Sequence, residues 1–104
     1  LFRDRGLNVQ PYKCGPDYID TKYHEMAAGN TSVNLDLWLS SQKHVKETYA
    51  KYAAAMDVCV TEGVMGLFDG FDGMEGSSAA IAALLNIPVV QINVLYSSSD
   101  SIWL

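Results

Sequence analysis

The sequence predicts an α/β fold: a small parallel sheet with helices flanking it. Three observations carry this. Apolar, β-branched runs of strand length stand at residues 7–12, 57–61 and 88–94. Helix-patterned stretches separate them, at 20–28, 41–56 and 77–86. Strand and helix therefore alternate, which calls for right-handed crossovers between parallel strands.

Each element has a local reason. Leu1-Phe-Arg-Asp-Arg-Gly6 reads as the last turn of a helix closed by glycine. Residues 7–12 alternate Leu, Val and Pro against Asn, Gln and Tyr, the period-two pattern of a strand. Residues 20–28 form a short helix, with Asp20 as N-cap and Gly29-Asn30 as its stop. Residues 30–36 read as a loop. Ser40 or Ser41 caps a helix running to Met56, with Val45, Tyr49, Tyr52, Ala53 and Met56 at helical spacing. Residues 57–61 are apolar enough for a strand buried on both faces. Ser77 or Ser78 caps an Ala- and Leu-rich helix ending near Asn86, and residues 88–94 read as a third strand. Ser97 to Ser101 has linker composition.

Composition excludes some classes. The 104 residues suit one small domain, and nearly half are apolar. A net charge of −5 argues against a surface held by nucleic-acid phosphates. No apolar run reaches the length of a membrane span, and no signal-peptide pattern is present. Cys14 reads as a loop residue and Cys59 as a core residue, so no disulfide framework is expected and a reducing cytoplasm is the default. His24 and His44 read as surface residues on helices, without the spacing of a zinc site.

The chemistry concentrates in two loops. Glu62-Gly-Val-Met-Gly-Leu-Phe-Asp69-Gly70 follows one strand, and Lys13-Cys-Gly-Pro-Asp17-Tyr-Ile-Asp20 follows another. In a parallel sheet ligands bind at the carboxyl ends of strands. Parallel strands would thus bring Lys13, Asp17, Asp20, Glu62 and Asp69 to one crevice.

At these residues the chain resembles the ATP-dependent cobyrinic acid a,c-diamide synthase family. The resemblance runs through Gln10-Pro-Tyr-Lys-Cys-Gly-Pro-Asp-Tyr-Ile-Asp20, Asn34-Leu-Asp36, the Glu62 loop and Ser77-Ser-Ala-Ala-Ile-Ala-Ala-Leu-Leu-Asn-Ile-Pro-Val-Val90. It implies a partial P-loop NTPase-like fold, similar to dethiobiotin synthetase. It implies an enzyme that activates two acetate carboxylates of cobyrinic acid with ATP and converts them to amides with glutamine-derived ammonia, in cobalamin biosynthesis. Mg²⁺ and ATP are the implied cofactors, and a homo-oligomer is expected.

The resemblance also implies roles. Asp17 and Glu62 would hold the metal; alone, Glu62 could equally cap a helix or pair with a lysine. Asp20 would orient the reacting carboxylate or its phosphate, or simply cap the helix. Asp69 would serve amide transfer, or an ordinary Asp-Gly turn. Lys13 would neutralise charge on a transferring phosphoryl group, or be a solvated loop lysine. Tyr18 and Ile19 would line the tetrapyrrole pocket, or anchor their loop. Phe68 and Phe71 read as core residues. Cys14 has no evident base beside it for a nucleophile's role.

Residues 1–90 read as a fragment of the synthetase domain without the G-x-x-x-x-G-K-[ST] loop that cradles phosphates, and residues 91–104 as a divergent strand and tail. By itself such a fragment is expected to be inactive and to associate through uncovered strand edges. Other readings stay open: amidation of another tetrapyrrole such as nickel sirohydrochlorin, a dethiobiotin synthetase, or a non-catalytic binding or assembly module.

Overall fold

The computed structural model describes residues 2–15, 19–37, 40–64 and 77–91, with the backbone of 93–94 and 102–103. A single 3-10 turn, Arg3–Arg5, opens the chain and closes on Gly6 at φ 81°, whose N–H donates to the Arg3 carbonyl. Strand β1, Val9–Cys14, follows, then helix α1, Asp20–Ala28, and strand β2, Val33–Leu35. Helix α2, Gln42–Ala53, leads into strand β3, Val58–Glu62, and helix α3 covers Ser78–Leu85. Two short strands, β4 at Asn93–Val94 and β5 at Ile102–Trp103, pair antiparallel.

The sheet is three-stranded and wholly parallel, in the order β2-β1-β3. This is the α/β sheet with flanking helices that the sequence predicts. Its composition differs. Residues 33–35, read as loop, form the edge strand paired to β1 through Tyr12↔Val33, Lys13↔Asn34 and Cys14↔Leu35. Three residues are too few to show a period. Residues 88–91 form no strand, and Val89 and Val90 are exposed. Pro88 brings no N–H to a ladder, and Asn93–Val94 pairs with β5 instead.

Register assigns the two faces, because partners across a ladder share a face. One face carries Gln10, Tyr12 and Cys14 with Val33, Leu35, Cys59 and Thr61. It holds the core: Tyr12, Cys14, Leu35, Val45 and Ile81, with Tyr49, Val64, Leu84 and Leu85 packed around them from α2, α3 and the loops. Tyr12 is fully buried, donates its hydroxyl to the Tyr49 carbonyl at 2.7 Å and stacks on the Tyr49 ring at 4.7 Å. The other face carries Val9, Pro11 and Lys13 with Val58, Val60 and Glu62, and α1 packs there against β1.

Caps set the helix ends. Ser41 and Ser77 accept the N–H groups of His44 and Ala80, as expected of N-caps. The cap of α1 is Ile19, not Asp20; Asp20 is already helical. Gly29, at φ 77°, ends α1 with its N–H on the Glu25 carbonyl. Helix α2 stops at Ala53, short of Met56. Strand β3 is not buried on both faces: none of its residues is buried, and Val60 is 44% exposed. It is an edge strand of the described sheet, with a ladder partner on one side. Cys14 is not a loop residue; it ends β1 and is buried. No helix among the described residues is long and apolar enough to cross a membrane.

Candidate functional site

Lys13 is the fifth residue of β1 and Glu62 the last of β3, and the two are partners across the ladder. Their side chains therefore leave the same face at the carboxyl ends of parallel strands. Asp20 reaches the same point from the first turn of α1. The Lys13 ammonium lies 2.9 Å from Asp20 Oδ2, 3.2 Å from Glu62 Oε1 and 3.2 Å from the Gly63 carbonyl.

The lysine side chain is 4% exposed, while those of Asp20 and Glu62 are 43% and 51% exposed. A buried cation thus anchors two carboxylates that face solvent. Lys13 is no solvated loop lysine. Burial alone would lower its pKa, but the hydrogen bonds to Asp20 and Glu62, with their charges, hold it above the ordinary lysine value. Burial alone would raise Glu62; the hydrogen bonds from His24 and Lys13, with their charges, outweigh it and hold the carboxyl below its usual range. Cys14 behaves oppositely to an activated nucleophile, since burial pushes its thiol up.

Glycine is needed just past β3. A Cβ on Gly63 would stand 2.8 Å from the Ser78 hydroxyl oxygen, and the Val64 N–H donates to that oxygen at 2.9 Å. The strand end is thereby fastened to the start of α3, and Glu62 leaves a fixed backbone.

Of the residues singled out from sequence, Lys13, Asp20 and Glu62 converge. Ile19 adjoins them in sequence and is 73% exposed. Asp17, Tyr18, Asp69, Phe68 and Phe71 lie outside the described residues. Sequence reasoning missed His24, read as a surface helix residue. Its ring is half-buried, with Nε2 on Glu62 Oε2 and Nδ1 3.3 Å from the Ser32 hydroxyl. Its place one turn beyond Asp20 was the available signal. Between α1 and β3 a cleft of about 440 Å³ runs from Phe2 and Arg3, over Val9, Pro11, Ala27, Ala28 and Val60, to His24 and Glu62.

Among the described residues no cluster of three or more His, Cys, Asp or Glu could cage a metal. Mg²⁺ bound beside a phosphate needs less, one or two carboxylates with water and phosphate oxygens. Glu62, half exposed at a strand end, is a carboxylate of the kind that mode uses.

The chain is 52% identical over 86 residues, 82% of its length, to the cobyrinate a,c-diamide synthase of Caldanaerobacter subterraneus. It is 47% identical over 87 residues to that of Methanobrevibacter smithii, and 53% over 66 residues to that of Picrophilus torridus. These matches cover 19%, 19% and 15% of the relatives, so the chain spans less than a fifth of the curated relatives it matches. No family model and no solved structure matches it.

Proposed function

The chain is related to the cobyrinate a,c-diamide synthases, and on that premise we propose that it forms the metal- and substrate-facing edge of an ATP-dependent, glutamine-using amidotransferase. The substrate would be cobyrinic acid, amidated at its a and c acetate side chains. The observation that carries this reading is the convergence of Lys13, Asp20 and Glu62 at the strand ends.

A free carboxylate resists attack by ammonia, so it must first be activated. One carboxylate oxygen of the substrate attacks the γ-phosphorus of ATP, and ADP leaves. Ammonia then attacks the acyl carbon of the resulting acyl phosphate, and inorganic phosphate departs with the C–O bond electrons. Each amide consumes one ATP and one glutamine. Glu62, with Asp17, would hold Mg²⁺, which supplies charge neutralisation for the phosphates. Lys13, already buried and held protonated by its partners, places a fixed positive charge at the site. Asp20 orients that ammonium and faces the reacting carboxyl. Ile19, with Tyr18, supplies apolar contact to the macrocycle, and Asp69 serves the transfer of ammonia.

The test uses the intact enzyme that contains these residues, given cobyrinic acid, MgATP and glutamine. Lys13→Met and Asp20→Asn should each slow diamide formation by about a hundredfold or more. Diamide formation at the unmodified rate in both variants would remove the assignment.

A further inference from the structure

We propose that His24 is the positioning residue for Glu62: it locks the plane of the carboxylate that takes the divalent cation. This rests on the reading of Glu62 as a metal ligand.

The two oxygens of Glu62 are held from opposite sides. Lys13 occupies Oε1 and His24 occupies Oε2. A carboxylate tied at one oxygen can still turn about its last bond; tied at both, it cannot. The restraint matters because the Glu62 side chain is half exposed at a strand terminus. Each oxygen keeps its other lone pair for a cation.

His24 is itself braced. It stands four residues after Asp20 on α1, so both side chains leave the same side of the helix. Its Nδ1 meets the Ser32 hydroxyl, and the Ser32 N–H donates to Glu25 Oε1 at 3.2 Å. Ser32 directly precedes β2, so the imidazole spans from the helix to the segment entering the sheet edge. A proton on Nε2 donates to Glu62, and Nδ1 pairs with the Ser32 hydroxyl. Both ring nitrogens are thus committed, and His24 acts on the metal through Glu62 rather than by ligating it. Partners of this kind typically alter metal affinity by about ten- to a hundredfold.

The test is Mn²⁺ binding to the intact protein, read from the electron spin resonance of the free ion, with the ring-nitrogen NMR shifts of His24. His24→Ala should weaken Mn²⁺ binding by about tenfold, and His24→Gln, whose amide N–H can donate to Oε2, should recover it to within about threefold of the parent. Ser32→Ala should fall between them. The parent should show the His24 proton fixed on Nε2, and Glu62→Gln should release it. Undiminished binding in His24→Ala, with binding lost in Glu62→Gln, overturns the positioning role and leaves Glu62 as the ligand. Undiminished binding in Glu62→Gln overturns the metal reading itself. Equal loss in His24→Ala and His24→Gln, with no recovery by the amide donor, overturns the proposal. Should His24→Ala not fold, the Gln and Ser32→Ala variants carry the comparison.

Discussion

Tyr12 and Lys13 are neighbours on β1, both almost wholly buried, at 0% and 3% exposure, and they do opposite things. Tyr12 points into the face closed by α2 and α3, where it packs in the apolar core and its one polar atom is paired. Lys13 points to the α1 face, where its buried ammonium holds two carboxylates at the solvent edge. One strand thus separates two tasks: alternate residues build a core on one side and present charge on the other. Burial alone does not tell structure from function here; what the buried group holds in place does.

The division is testable by substitution. Tyr12→Ala should have the largest effect on stability, about 3–5 kcal/mol, from lost transfer energy and the cavity left behind. That is a large part of a small domain's total stability, and urea titration should show the midpoint collapse. Lys13→Met should cost far less, about 1–2 kcal/mol, because the carboxylates it leaves are half exposed and can rehydrate. Its effect on turnover should be the greater one. Unfolding by Lys13→Met as complete as by Tyr12→Ala would break the division.

Titration sharpens it. Lys13, Tyr12 and Cys14 all have folded pKa values raised from 10.5, 10.0 and 9.0, burial being the main cause for the tyrosine and thiol. Each therefore holds its proton more tightly when folded. The stability each contributes is full below its ordinary value and is lost as pH rises through the folded one. Stability should decline above about pH 9, with both faces contributing. Glu62 is lowered from 4.5, so its contribution is present above that value and lost as pH falls through the folded one. The α1 face should supply an acid limb through Glu62, and it should be small for a half-exposed group. Glu62→Gln should reduce the acid limb and leave the alkaline one, as followed by thermal unfolding across pH.

A still smaller effect is expected at the start of α3. Ser77→Ala removes the N-cap of that helix and should cost about 1 kcal/mol by thermal unfolding.

Much of this was legible in the sequence, for definite reasons. Serines and glycines at the helix ends placed α1, α2 and α3, because each cap acts locally. Strands β1 and β3 were found from apolar runs to within two residues. Strand β2 was not, because three residues carry no period and pairing with β1 alone makes Val33–Leu35 a strand. That same pairing extends β1 through Lys13 and Cys14, which is why both read as loop residues. Glu62 was legible as an acid at the end of a strand, and Asp20 as an acid at the start of a helix. The tie from His24 to Glu62 was not, since 38 residues separate them and only the sheet register joins them.

The central claim is that the charged cluster serves chemistry rather than the fold, and diamide formation by the intact enzyme carrying Glu62→Gln tests it most directly. Turnover should drop by about a hundredfold or more, because charge at the metal is lost. The thermal midpoint at neutral pH should shift by only a few degrees. Turnover within about twofold of the parent, or a protein that no longer folds, would contradict the claim.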